Sequence, residues 1–195
     1  SRAFGRDSQL HDTSFGWRFI NPRLDEIYGT DGMGETAENL VDQYGISRED
    51  QDSFAAWSQK KAAQSAAERG EECVSVSIPR RKQDPLVFSE DEFVKPQTSA
   101  EGLSRLRPAF RPNGTVTAGN ASGLNDGAAA LLLASEAGLA KHGLTAMTRI
   151  CSSAVVGVEP RIMGIGPVGA SRLALERAGL QLSDMDLIEL NEAFA

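Results

Sequence analysis

"LIELNEAFA" carries Leu187 through Ala195, and in it a run of strand-type residues leads straight into Asn191 and Glu192. α/β folds place their sites at the C-terminal tips of strands. A carboxamide there can donate to a water or to developing negative charge. Asparagine at a strand-to-helix junction is equally a preferred helix cap, so both uses of Asn191 stand open. The second chemical candidate is "TVTAGNASGLNDGAAALLLAS", where Gly119, Ser122, Gly123, Asp126 and Gly127 sit among small residues. Such a backbone lets a ligand approach closely, although a glycine-rich loop entering a strand explains the same composition. The third is "RIMGIGPVGASRLALERAGL", with Gly164, Gly166 and Gly169 ahead of a helix, where phosphates bind. Pro167 interrupts it, and no acidic residue follows a second strand about 20 positions on, which speaks against a dinucleotide.

Charge and the remaining reactive residues narrow the chemistry further. Arg80, Arg81, Lys82, Lys95, Arg105, Arg107 and Arg111 form a local basic cluster in a chain of net charge −7. It is a solvated face or the seat of a polyanionic ligand; the acidic whole excludes general nucleic-acid binding. Only His11 and His142 are present and the two cysteines form no CxxC, so no metal site is expected. Cys73 opens an alternating segment and Cys151 sits mid-strand, so both are expected as buried structural thiols in a reduced, cytoplasmic setting. His142, near a helix end, suits carbonyl capping. No apolar run approaches the roughly 20 residues that cross a bilayer, and Ser1-Arg2-Ala3-Phe4 lacks a signal peptide's apolar segment.

These residues need elements to position them. With 195 residues and 41% hydrophobic composition the chain can build one large domain or two small ones. Residues Glu35 to Val41 begin a helix, with Thr36 or a residue just before it as cap and Glu38 supplying charge to the first turn. "GISREDQDSFAAWSQKKAAQSAAERG" predicts a longer helix, capped by Ser47 with Asp50, striped by Phe54, Trp57 and Ala62, and stopped by Gly70. "CVSVSIP" alternates as a half-buried strand, and "RRKQDPLVFSEDEFVKP" reads as a turn and a second strand. Later, Ser135, Leu139, Gly143 and Leu144 recur as Ser171, Leu175, Gly179 and Leu180. Both copies read as a helix ended by glycine, and "AAALLLAS", "TRICSSAVV" and "MDLIEL" read as buried strands beside them. Helix, glycine and buried strand together predict an α/β layered fold.

Taken in order, "GMGETAEN", "RPAF", "GTVTAGNASGLNDGAAALLLAS", "PRIMGIGPVGASRLALERAG" and "ELNEAFA" resemble the thiolases, across essentially the whole chain. "HDTSFGWRFINP" and "YGTDGMGETAEN" are most similar to the 3-oxoadipyl-CoA thiolases of aromatic-compound breakdown. The resemblance implies a layered αβαβα fold of two similar halves with an inserted loop domain. Residues 1–123 would be the coenzyme A-binding loop domain, 124–146 the end of the N-terminal half and 147–195 the start of the C-terminal half.

It also implies roles, residue by residue. Leu24 and Met33 would line the pantetheine region, Lys95 would stand where the family often stacks an arginine on adenine, and Ala109, Phe110, Ala118, Ser122 and Gly123 would contact coenzyme A. Phe194 would pack beside the pantetheine tunnel. Asn191 would hold the water that, with a histidine, forms an oxyanion hole, ahead of a helix begun by Glu192. Three departures stand out: Lys95 lacks the flat guanidinium, Gly102 replaces a hydrogen-bonding serine, and Gly32 replaces a histidine of short-chain biosynthetic members. The family's nucleophilic cysteine would lie before Ser1, and its activating histidine and second cysteine after Ala195, so this chain alone would be inactive. The implied activity is acyl transfer between coenzyme A and a 3-oxoacyl-CoA, by a homodimer or homotetramer with no nucleic-acid or membrane partner. An acetoacetyl-CoA thiolase and a non-catalytic coenzyme A-binding module are the alternatives. Alternation of Phe15, Trp17 and Phe19 suits a strand face at a subunit contact, and Arg18, Arg23 and Arg161 are candidates to meet a substrate carboxylate.

Overall fold

A computed structural model describes Arg6 and residues 16–195 of the chain. His11 and Phe15, with the HDTSF part of the motif they belong to, lie outside these described residues. In chain order the elements are α1 (Pro22–Tyr28), α2 (Met33–Tyr44), α3 (Arg48–Gln64), α4 (Ala66–Glu72), β1 (Val76–Arg80) and β2 (Gln83–Phe88). They continue with α5 (Ala100–Ser104), α6 (Glu136–His142) and α7 (Gly166–Ala178), and α7 is preceded by a 3-10 turn at Pro160–Ile165. The chain divides into two units, one of residues 1–31 with 124–191 and the other of residues 32–123 with 192–195.

The second of these units holds α2 to α5 and the hairpin. Gly32, not Thr36, stands at the N-cap of α2; the Thr36 hydroxyl donates to Met33 O instead, at 2.7 Å. Glu35 occupies the first turn, while Glu38 is buried at 1% exposure. Ser47 caps α3 as expected: its Oγ accepts from Asp50 N at 3.0 Å and donates to Asp50 Oδ2 at 2.8 Å. The helix stops at Gln64, earlier than Gly70, and α4 runs through that glycine. The break falls at Ser65, whose hydroxyl donates to Lys61 O at 3.0 Å, a side chain competing with the helical backbone.

The buried face of α3 also differs from the apolar stripe. Gln51, Asp52 and Ala55 are buried, whereas Trp57 is 53% exposed. Polar side chains go inward here because α5 packs on α3 and hydrogen bonds satisfy them; among the described residues no buried side-chain nitrogen or oxygen lacks a partner. β1 and β2 form the expected hairpin, pairing Val76 with Phe88 and Ile78 with Leu86, with an irregularity between Ile78 and Arg80 where Pro79 offers no N–H. Lys82 makes the turn at φ 59°. Both strands are exposed along their length, not half-buried, because the two-stranded sheet carries no layer on either face among the described residues.

In the other unit the sequence repeat reappears as a repeated helix ending. Gly143 (φ 62°) and Gly179 (φ 68°) are left-handed, and Leu144 N and Leu180 N reach back to Leu139 O and Leu175 O, each at 3.0 Å. This is the glycine closure that satisfies a helix's last carbonyls. The repeat does not extend to the helix starts: Ser135 caps α6, but Ser171 lies inside α7. Residues 152–158 run along α7. Ser152 Oγ donates to Ala174 O and Arg177 Nη1 to Ser153 O, both at 2.7 Å. At Gly169 an added Cβ would stand 3.1 Å from Val156 Cγ2, so that glycine serves close helix packing.

The three segments expected as buried strands, 128–135, 148–156 and 185–190, form no sheet among the described residues. Most of their side chains are exposed, Leu131 at 90% and Leu187 at 78%, while Ser152, Ala154, Val156 and Met185 are half-buried. A strand exists through its neighbour's ladder bonds, and the described residues supply no such neighbour to these segments. Cys73 and Cys151 are exposed free thiols rather than buried ones, because Cys73 only follows α4 and Cys151 lies in one of these uncovered segments. Residues 17–19 form no strand, and Trp17 and Phe19 are exposed. No helix among the described residues is long and apolar enough to cross a membrane.

Candidate functional site

Residues 108–123 fold back on themselves, with Pro108 bridged to Thr117 and Ala109 N donating to Val116 O at 2.9 Å. Within this loop Val116, Thr117 and Asn120 are buried, while Ala109, Phe110, Ala118 and Ser122 are exposed. The buried residues hold the loop and the exposed ones present a surface. Glu38 of α2 grips the first side of the loop. Its Oε1 accepts from Thr115 N and Val116 N, each at 2.9 Å, and Gln51 Nε2 of α3 donates to Thr115 Oγ1 at 2.8 Å. Asp52 grips the other side, accepting from Asn120 Nδ2 at 3.0 Å and from Arg48 Nε at 2.8 Å. Arg48 Nη2 in turn donates to Leu103 O at 2.7 Å and Leu106 O at 3.1 Å, tying the C-terminal end of α5 into the same chain of bonds. Hydrogen bonds to charged groups are the strong ones, so this network fixes the loop firmly.

Aromatic side chains extend the exposed surface. The Phe110 ring lies so close over Gly34 that any Cβ there would overlap it. Phe194 meets Phe110 edge-on, with centroids 6.0 Å apart at 83°, the favoured aromatic arrangement. Residues 192–195 make no helical turn. They lie along the loop instead: Ala121 is bridged to Phe194, Ser122 N donates to Ala193 O, and Ala195 N to Asn120 O, both at 2.9 Å. The Glu192 carboxylate accepts from Ser58 Oγ of α3, with Lys61 Nζ at 4.0 Å. Lys61 also sits over the Trp57 ring, 3.6 Å from its centroid.

One unit thus carries most of the candidate residues. Met33, Ala109, Phe110, Ala118, Ser122, Gly123 and Phe194 all belong to it, and Phe110 touches Phe194. Lys95 belongs to the same unit; its N–H donates to Gln59 Oε1 of α3 at 2.7 Å and its Nζ lies 4.6 Å from the Phe93 ring. Leu24, half-buried on α1, and Asn191, exposed, belong to the other unit. Two members of the basic cluster, Arg105 and Arg111, are paired with acidic side chains. Arg111 binds Glu35 at 2.9 Å, Asp42 at 2.7 Å and Asn39 at 2.8 Å, and the hydrogen bond to Glu35 does most to raise its pKa above the ordinary guanidinium value. Arg105 pairs with Glu101, and Arg161 Nε with Asp31 at 3.0 Å. Among the described residues no three histidine, cysteine or acidic side chains stand together as metal ligands.

The sequence reading gives no supporting role to Gln51, Asp52 and Asn120 and reads Glu38 only as charge in the first turn of its helix. On the two helices the signal is a polar residue three or four positions from a small buried one: Glu38 stands four residues after Gly34, and Gln51 and Asp52 four and three before Ala55.

Comparison with known proteins gives the family of the chain. The profile "Thiolase, N-terminal domain" matches residues 5–137, and "Thiolase, C-terminal domain" matches residues 144–195. The chain belongs to the thiolase family. It is 52% identical over 195 residues to the beta-ketoadipyl-CoA thiolase of Acinetobacter baylyi, covering 99% of this chain and 49% of that protein. It is 53% identical to the 3-oxoadipyl-CoA/3-oxo-5,6-dehydrosuberyl-CoA thiolase of Escherichia coli, with the same coverage. The thiolase chain therefore spans about half the length of the curated relatives it matches. The solved acetyl-CoA acetyltransferase of Bacillus anthracis aligns with a TM-score of 0.84 at 42% identity, over 98% of this chain and 48% of that one. The α/β thiolase fold expected from the motifs is the fold of this chain.

Proposed function

We propose that the protein carrying this chain is an acyltransferase that cleaves 3-oxoadipyl-CoA with coenzyme A, giving acetyl-CoA and a shortened acyl-CoA. The observation that carries this is the exposed face of the 108–123 loop joined to Phe110 and Phe194, set in a chain more than half identical to proteins named for that substrate. Coenzyme A is a substrate here, and the residues fit its chemistry. Small exposed side chains at Ala109 and Ala118 let a flexible pantetheine arm lie close, Ser122 offers a hydroxyl to its amides, and the paired phenylalanines give it an apolar wall. Lys95 supplies positive charge for the nucleotide end. The Asn191 carboxamide has the donors to hold a water where the thioester carbonyl gains negative charge. Residues 1–123 would form the coenzyme A-binding loop domain, 124–146 the end of one half and 147–195 the start of the next. The nucleophile, its activating histidine and the second cysteine would come from the longer protein, which works in the cytoplasm.

A substrate ending in a carboxylate needs a basic or polar group to meet it. Arg18, Arg23 and Arg161 are the side chains to substitute. The expected result is a higher kcat/KM for 3-oxoadipyl-CoA than for acetoacetyl-CoA in the full-length protein, measured by thioester loss. Equal or reversed preference would favour the second reading, an acetyl-CoA acetyltransferase, to which the structural likeness to the Bacillus anthracis enzyme points. Absence of any thiolysis would leave a binding module. The full-length protein is expected to be at least a dimer, and light scattering at micromolar concentration checks it: a monomeric mass contradicts the expectation.

A further inference from the structure

The least replaceable residue of the loop is one that faces away from its surface. Asn120 is 3% exposed, and every hydrogen-bonding group of its side chain is assigned. Oδ1 accepts from Thr117 N at 2.7 Å, and Nδ2 donates to Asp52 Oδ1 at 3.0 Å and to Thr115 O at 3.1 Å. The neighbours fix which end of the amide is which: a backbone N–H demands an oxygen, and a carboxylate with a carbonyl demands the NH2. The backbone of the same residue is equally engaged, since Asn120 N donates to Thr117 Oγ1 at 3.3 Å and Asn120 O accepts from Ala195 N at 2.9 Å. Asp52, its acceptor, is 2% exposed and is itself held by Arg48. Leucine side chains of residues 103 and 106 press so close to Gly119 that a Cβ would overlap them.

Asn120 therefore stands at the crossing of α3, the two arms of the loop and the 192–195 segment. The exposed Ala118 and Ser122 lie two residues to either side of it, and Ala121 carries the bridge to Phe194. We propose that Asn120, gripped by Asp52, is a positioning residue that sets Ala118, Ser122 and Phe194 in register for the pantetheine arm of coenzyme A. This rests on the coenzyme A reading of that surface. Aspartate at position 120 matches asparagine in shape but would turn a carboxylate oxygen toward the Asp52 carboxylate and the Thr115 carbonyl. Exchanging the pair restores one donor and one carboxylate across the same contact.

The test uses full-length protein and titration calorimetry with two probes, coenzyme A and adenosine 3′,5′-bisphosphate, which lacks the pantetheine arm. Asn120→Asp is expected to weaken coenzyme A by about tenfold or more, and Asp52→Asn by roughly threefold. The double variant Asp52→Asn/Asn120→Asp is expected to return to within about threefold of the parent. Nucleotide affinity should change by less than about twofold throughout. Should Asn120→Asp fail to fold, Asp52→Asn and the double variant still decide the matter by the same ratios. Parent-like coenzyme A binding in the single variants, or equal weakening of both probes, overturns the positioning role alone. A parent protein that binds neither probe overturns the coenzyme A reading, and this inference with it.

Discussion

Glu38→Ala is expected to lower the stability of the protein by about 2–5 kcal/mol, because it strands buried backbone donors. Thr115 N and Val116 N both point at the Glu38 carboxylate at 2.9 Å, in a site that leaves Glu38 1% exposed. Alanine removes the acceptor without giving either N–H another partner, and it opens a cavity beside Gly114, whose backbone approaches the carboxylate too closely for any Cβ. Glu38→Gln separates shape from acceptor capacity. Its carbonyl oxygen, in the place of Oε1, can still accept from both N–H groups, but its NH2 would replace Oε2, 3.1 Å from Thr115 N, so the loss should lie between the parent and the alanine variant. Denaturant titration of the full-length protein gives the order. An alanine variant as stable as the parent would show that the loop is held by something other than this carboxylate.

Asn191→Asp is expected to lower turnover of the full-length protein by roughly 10²-fold or more, the scale of losing one oxyanion donor, while the fold survives. Aspartate caps a helix as well as asparagine does, so a pure cap would leave both turnover and stability nearly unchanged. The oxyanion proposal differs in consequence: aspartate brings negative charge toward an atom that is itself becoming negative. Steady-state kinetics paired with a thermal midpoint separates the two. Near-normal turnover in the aspartate variant would remove Asn191 from the chemistry.

What could be read from the sequence was what local residues decide. Ser47 with Asp50 marked the start of α3 because a cap needs only its own turn. The Gly143 and Gly179 endings were visible because the left-handed closure is also local. The hairpin followed from alternation and a turn, but its burial did not, since burial depends on a layer that the alternation of Val76 and Ile78 cannot name. The same limit explains the three extended segments that pair with nothing among the described residues. Thr36 and Gly70 were misassigned for a different reason: Met33 O and Ser65 offered competing local hydrogen bonds. In the candidate site, the family motifs named Ala109, Phe110, Ala118 and Ser122, which the structure leaves exposed. The residues that hold them, Glu38, Asp52 and Asn120, were not legible, because their partners lie between 68 and 78 positions away.

Hydrogen exchange of the full-length protein, with and without coenzyme A, tests the central claim most directly. Bound coenzyme A should slow exchange of the amides in residues 109–110, 118–123 and 193–195, which border the Phe110 and Phe194 surface. The β1–β2 hairpin, with Arg80 and Lys82 at its turn, should exchange as before. Protection confined to the hairpin, or absent from residues 118–123 at saturating coenzyme A, would contradict the account.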